Sequence, residues 1–335
     1  MKKKNRYIVY ADFLGTEQRY STPKLIVRGR ELLEQALNML VIPRMRADDM
    51  YLYVFSDTAI LTCPSLSPLL EPISALFNHW VDLQGDSGIT PLSLWLRAGI
   101  SYGEVLYVDH LQNSDRIRTI PFLDTSLPKA YKLETIRKGS RVFIDPAIPD
   151  DAFVGSKDVF FRWQQITGHG YAAYNVTEYL WPAKSQHDTE HLARMTLKLH
   201  GWWSKELDKK EWSRDEYYES LIHLDETVKL LIRTSSAFCA GDSKRDLLFS
   251  LLPKTKSPHK NVRFEWGMWF QVLKGLVESE TRCPADTHDV ETAFDIVKWI
   301  LAKGGFFSHF IGELKYSDYS GFGRRLKDLG LHQFE

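Results

Sequence analysis

Tyr7-Ile-Val-Tyr-Ala-Asp12-Phe-Leu-Gly15-Thr16 is an apolar run that ends on a carboxylate and a glycine turn. Tyr, Ile and Val favour a strand, and Gly15 permits a tight turn just past it. Asp12 is therefore predicted at the C-terminal end of a buried strand, where the next backbone N–H groups are placed to meet a ligand such as a metal-bound phosphate. A second stretch, Tyr51-Leu-Tyr-Val-Phe-Ser-Asp57-Thr-Ala-Ile-Leu-Thr62, repeats the theme. It reads as two short strands of aromatic and β-branched residues with Ser56 and Asp57 at the turn between them. As neighbours in one sheet, the two stretches would bring Asp12 and Asp57 to the same cation. Either aspartate alone is more often a turn former or a cap; two carboxylates at the ends of apolar strands are the stronger signal.

Composition bounds the rest. A chain of 335 residues favours two domains. Its 43 basic and 43 acidic residues balance, which gives no general attraction to nucleic acid or an anionic membrane. A hydrophobic fraction of 44% argues against extensive disorder. Cys63, Cys239 and Cys283 are far apart and odd in number, so no disulfide framework or Cys-x-x-Cys metal site is indicated, and a reducing cytoplasm is the simpler location. The basic start, Met1 to Arg6, leads directly into the first strand and lacks the apolar stretch of a signal peptide. No window is long and apolar enough to suggest a membrane span.

Taken in order, a helix is expected over Leu25 to Leu40, then the Asp57 hairpin, then a helix over Leu69 to Val81 and a strand over Leu92 to Tyr107. That β-α-β-β-α-β order is ferredoxin-like, an antiparallel sheet with helices on one face. A helix carrying Ala130-Tyr-Lys132-Leu-Glu134, the strand Arg141 to Asp145 and a hairpin around Thr167-Gly-His169-Gly170 follow. From about Pro182 the pattern turns helical. Ser213-x-x-Glu216 is a capping box opening a helix with Tyr217, Leu221, Leu224, Val228 and Leu231 on one face. Val262 to Val277 and Val290 to Leu301 are two further amphipathic candidates. His187 and His191 share a helix face without the glutamate of a zinc-protease motif, and read as a solvated face.

These residues carry a family resemblance. Tyr10-Ala-Asp12-Phe-Leu-Gly15 is similar to the first metal motif of the class III nucleotidyl cyclases, Phe-x-Asp-Ile-x-Gly-Phe-Thr. Phe55-Ser-Asp57 falls where those enzymes carry Gly-Asp in a hairpin, and Leu96-Arg97-Ala-Gly99-Ile100-Ser-Tyr-Gly103 resembles their Arg-x-Gly-Ile-x-x-Gly strand. The Ala-x-x-Leu-Glu run ending at Glu134 resembles the end of their Val-Asn-x-Ala-x-Arg-Leu-Glu helix, and the hairpin around His169 resembles their closing Lys-Gly-Lys-Gly. The departures resemble the pyrimidine cyclases of the bacterial anti-phage Pycsar systems.

The resemblance implies an α+β fold: a ferredoxin-like class III cyclase catalytic domain over residues 1–182, followed by a mainly helical domain over 183–335 with no role assigned. It implies conversion of UTP, or CTP, to the 3′,5′-cyclic nucleotide and pyrophosphate with two Mn2+ or Mg2+ ions per site. The product would be a second messenger that reaches a cyclic-nucleotide-gated effector only indirectly. Asp12, Asp57 and the Phe13 carbonyl would hold the metals, and the backbone N–H groups of Leu14, Gly15 and Thr16 the terminal phosphates. Arg97 would contact the triphosphate; from its residue type alone it is equally a surface strand residue paired with a carboxylate. Tyr53 stands where adenylyl cyclases carry their base-reading lysine, and the usual partnering aspartate falls near Pro121, with Asp124 close by. The ribose-orienting asparagine falls on Pro128, the transition-state arginine on Lys132, and phosphate-contacting lysines on Thr167 and His169. The family arrangement is a head-to-tail homodimer, with Asp12, Asp57 and Arg97 from one protomer and Tyr53 and Lys132 from the other. No nucleic acid or membrane partner is implied. The alternatives are a purine cyclase with an altered base pocket and a catalytically silent cyclase-fold regulator that binds nucleotide.

Overall fold

In the computed structural model, the residues described are 2–14, 23–45, 49–55, 57–83, 95–107, 125–153, 159–168, 171–183, 189–207, 215–239, 241–251, 292–293, 295–296 and 298. The chain divides into two compact units, Met1–Lys184 and Ser185–Glu335.

The first unit is built on a sheet of seven strands. β1 (Lys2–Leu14) is followed by helix α1 (Pro23–Ala36), which runs on into a π-helical turn, Leu37–Val41, and a 3-10 turn, Ile42–Arg44. β2 (Tyr51–Phe55) and β3 (Thr58–Cys63) form the hairpin, then come α2 (Ser67–Leu83) and β4 (Trp95–Tyr107). α3 (Ser126–Thr135), β5 (Val142–Ile144), β6 (Phe160–Gly168) and β7 (Tyr171–Tyr179) complete the unit. The strand order is β2-β3-β1-β4-β5-β7-β6. Its first four strands are antiparallel neighbours, with β3 lying between β1 and β2, which is the ferredoxin-like arrangement. β5 adds to β4 in parallel, and the β7–β6 hairpin extends the sheet beyond it.

Side chains alternate along β1, so Ile8, Tyr10 and Asp12 share one face and Val9 and Ala11 the other. Both faces are buried at the centre: Ile8, Ile60 and Val105 on the first, and Val9, Ala11, Leu61, Ala98 and Ile100 on the second. The sheet is therefore covered on both sides rather than one. That is why Tyr7 to Ala11 reads as a continuous apolar run and not as an alternation.

α3 packs on the Asp12 face and is fixed there by three contacts along β4. Ser101 donates its hydroxyl to the Ser126 carbonyl at 2.6 Å. At Gly99 a Cβ would lie 1.9 Å from the Ala130 carbonyl oxygen, so only glycine lets the helix backbone come this close. Arg97 Nη2 lies 2.5 Å from Glu134 Oε1. The contacts step by two residues on the strand and four on the helix, distances of about 6.8 Å and about 6 Å, so strand and helix stay in step while running in opposite directions.

Beyond β4, Arg141 and Glu178 form a buried ion pair at 3.1 Å, and Trp163 donates its indole N–H to the other Glu178 oxygen at 2.8 Å. This cluster ties together β6, β7 and the approach to β5. β2 is the opposite edge of the sheet, with Tyr51, Val54 and Phe55 exposed.

In the second unit the described helices are α4 (Thr189–Leu207), α5 (Asp215–Phe238) and α6 (Gly241–Ser250). Leu221, Leu224, Val228 and Leu231 of α5 are buried, as the periodicity predicts. Thr196 and Ser235 hydroxyls meet at 3.0 Å between α4 and α5. Lys229 lies 2.5 Å from Asp225 and 3.1 Å from Glu226. Ser213 of the capping box, His187 and the segment Val262 to Val277 lie outside the described residues, and Val290 to Leu301 is described only in part. Among the described residues, no helix is long and apolar enough to cross a membrane.

Candidate active site

The β1–β3 ladder runs from Tyr7 opposite Cys63 to Asp12 opposite Thr58. Asp57, in the turn, is the residue before Thr58, so both aspartates belong to the same end of this ladder. Both are part-exposed. Asp12 is not the last residue of its strand. β1 continues through Phe13 and Leu14, which pair with Leu96 and Trp95 of β4 but extend past the end of β3. The side chains of Phe13 and Leu14, and Gly15 and Thr16 entirely, lie outside the described residues.

Asp12 is held from two strands. Thr58 donates its hydroxyl to Asp12 Oδ1 at 2.9 Å. The Tyr10 hydroxyl, on the same face, lies 3.5 Å from the same Thr58 oxygen. The Tyr10 ring packs edge-on against Tyr131 of α3, with centroids 5.5 Å apart. Burial is the main cause that raises the Tyr10 phenol above its ordinary value.

On the other side, Arg97 is the cross-strand neighbour of Asp12. The resemblance implies a triphosphate contact for Arg97, but its side chain is 7% exposed and its guanidinium meets the Glu134 carboxylate, itself 1% exposed. It is paired with a carboxylate, in the interior and not at the surface, because Gly99 lets α3 close directly over β4. Among the described residues, neither Glu134 oxygen accepts a hydrogen bond of normal geometry. Burial pushes the Glu134 carboxyl up to about 7; Arg97 opposes that shift, and the nearby charge of Asp12 adds to it. Burial likewise lowers Arg97 from its ordinary value, against the pull of Glu134 and Asp12.

Tyr53 is part-buried on β2 and packs against the cluster of Ile8, Ile60 and Val105 together with Tyr10 and Leu127. Lys132 and Pro128 are exposed on α3. Pro128 sits in the first turn, where a helix makes no use of the backbone N–H that proline lacks. The side chain of Thr167, near the end of β6, lies outside the described residues, as do His169, Pro121 and Asp124 altogether.

Among the described residues, no group of three or more His, Cys, Asp or Glu side chains is placed to hold a metal. A carboxylate pair is nevertheless a fitting donor set for Mg2+ or Mn2+, since Mg2+ is commonly bound through one or two carboxylates and the substrate's own phosphates.

No protein-family model matches the chain, and no curated protein does. Solved structures similar to it include cyclases. An adenylate/guanylate cyclase/hydrolase from Silicibacter pomeroyi is 13% identical, with a TM-score of 0.38 over 53% of this chain and 98% of that one. The guanylyl cyclase Cya2 is 13% identical, with a TM-score of 0.39 over 53% of this chain and 92% of that one. An adenylate cyclase from Trypanosoma brucei is 9% identical, with a TM-score of 0.36 over 54% of this chain and 91% of that one. Likeness at this level bears on neither substrate nor mechanism.

Two residues of the site have no role assigned from the sequence. Thr58 does carry a signal, as the hydroxyl residue that follows Asp57. Glu134 closes the Ala-x-x-Leu-Glu run, but only the seating of α3 on Gly99 identifies its partner.

Proposed function

We propose that the chain is a nucleotide cyclase acting on a pyrimidine triphosphate, UTP ahead of CTP, and that it releases the 3′,5′-cyclic nucleotide and pyrophosphate. The observation that carries the proposal is the placement of Asp12 opposite Thr58, which brings two part-exposed carboxylates to one end of the central ladder. Cyclisation requires the 3′-hydroxyl to meet the α-phosphorus in line with the leaving pyrophosphate. Divalent ions at Asp12 and Asp57 would supply positive charge that acidifies that hydroxyl and offsets the leaving oxygens.

The chain's own groups hold this arrangement. Thr58 orients Asp12. Arg97, neutralised in part by Glu134, sets the field beside Asp12 and so acts here as a positioning residue. Lys132, exposed on α3, offers a mobile positive charge to the phosphates of a site shared with a second copy, without the planar fork of arginine. Tyr53, in place of a base-reading lysine, can donate and accept hydrogen bonds and stack, but brings no charge at neutral pH. That favours a pyrimidine over the purine alternative. A second reading, a silent nucleotide-binding module, draws on the burial of Arg97 and on Pro128 at the expected asparagine position. A homodimer with shared sites and a role for the product in anti-phage signalling belong to the same proposal.

The test is incubation of the purified chain with ATP, GTP, CTP and UTP, each with Mn2+, and identification of products by mass, beside an Asp57→Ala control. A cyclic pyrimidine nucleotide missing from the control is expected. A cyclic purine would move the assignment to the purine alternative. Nucleotide binding without product from any of the four would favour the silent module.

A further inference from the structure

We infer that Thr58 is a positioning residue: its hydroxyl fixes the orientation in which Asp12 presents its carboxylate to a divalent cation. The inference rests on the cyclase reading above and adds to it a residue that touches neither substrate nor metal in its own right.

The geometry is specific. Thr58 is the direct cross-strand partner of Asp12, and its Oγ1 lies 2.9 Å from Asp12 Oδ1. An ionised carboxylate only accepts hydrogen bonds, so the single hydroxyl proton of Thr58 is committed to Asp12. The Tyr10 hydroxyl, 3.5 Å from Thr58 Oγ1, must then be the donor in that contact. The chain of hydroxyls thus has one direction, from Tyr10 to Thr58 to Asp12. A β-branched residue in a strand has little freedom at χ1, which gives the donated bond a fixed bearing. Thr58 also follows Asp57 directly in the chain. One residue therefore couples both carboxylates: its side chain sets the angle of Asp12, and its backbone places the turn that carries Asp57. Such outer partners of metal ligands commonly matter to affinity by about 10–100-fold.

The experiment measures Mn2+ binding to the full chain without nucleotide, by loss of the free-ion electron paramagnetic resonance signal and by calorimetry. Wild type is compared with Thr58→Val, Thr58→Ser, Thr58→Ala and Asp12→Asn. Valine has the shape of threonine and suits a strand at least as well, so circular dichroism and melting should match wild type. Thr58→Val should weaken Mn2+ binding by about 10–100-fold, Thr58→Ala should do the same, and Thr58→Ser should restore wild-type affinity. Should valine not be accommodated, the alanine and serine pair separates hydroxyl from shape in the same way. Wild-type affinity in Thr58→Val or Thr58→Ala, alongside loss in Asp12→Asn, would overturn the role of Thr58 and leave the cyclase reading standing. Equal loss in the serine and alanine variants would overturn it too, since the hydroxyl would then be irrelevant. A wild-type chain that binds no Mn2+, either alone or with a non-cyclisable UTP analogue added, would remove the metal reading and this inference together.

Discussion

Replacing Glu134 with glutamine tests which force governs the buried pair beneath the candidate site. Glu134 is 1% exposed and its carboxylate is 2.5 Å from the Arg97 guanidinium. Burial favours the protonated acid, whereas Arg97 favours the carboxylate, and the balance raises Glu134 from an ordinary 4.5 to about 7. Below pH 4.5 the folded and unfolded chains both hold this proton, and its contribution to stability is complete. Between pH 4.5 and about 7 the unfolded chain releases the proton first, so the contribution declines as pH rises and is gone above the folded value. At about 1.4 kcal/mol per pH unit, the total is ~3 kcal/mol. Glu134→Gln has no proton to release. Urea unfolding of both proteins across this pH range therefore isolates Glu134 together with its coupling to Asp12, because carboxylates outside that pair titrate alike in the two. The stability of wild type relative to the variant should fall by ~3 kcal/mol from the acid to the neutral end of the window. A relative stability that rises with pH would refute the reasoning, since it would mean that Arg97 outweighs burial and holds Glu134 ionised throughout.

Two further substitutions probe the frame around the site. Gly99→Ala places a methyl group 1.9 Å from the Ala130 carbonyl oxygen, and should cost about 3 kcal/mol or more by forcing α3 off β4; melting at the wild-type temperature would show that the helix is not seated as described. Glu178→Ala strips the Arg141 guanidinium and the Trp163 indole of their shared acceptor, and should cost about 3–5 kcal/mol in denaturant unfolding. Glu178→Gln, which keeps an acceptor for Trp163, should cost less, and equal losses in the two variants would assign the effect to packing alone.

The central strands and helices were legible because their signals are local. The aromatic and β-branched runs at Tyr7 and Tyr51 form strands, Asp57 lies in the turn before β3, and the spacing of Leu221, Leu224, Val228 and Leu231 marks the buried face of α5. That Asp12 and Asp57 belong to the same end of the β1–β3 ladder was legible for the same reason, as each follows a recognisable apolar segment. Arg97 was not, because its fate depends on a contact 37 positions away in the chain, with Glu134, and that contact exists only where a missing Cβ admits the helix. The end of β1 was misplaced by two residues because Gly15 marks a break without saying which of the preceding residues still pair. The two glycines of β4 allow close backbone approach without saying what approaches. At Gly99 the requirement is mechanical, since the close approach is by α3 and not by a ligand.

The matched stepping of α3 along β4 makes this part of the chain intolerant of changes in length. Removing one residue between Arg97 and Ser101 would turn the strand over beyond the gap. Arg97 or Ser101 would then point away from α3, and no sliding of the helix could recover both contacts. Homologous chains should therefore vary in residue type on the exposed side of α3 apart from Lys132, and in the lengths of the segments before and after it, while the interval from 97 to 101 and the interval from 126 to 134 stay constant together.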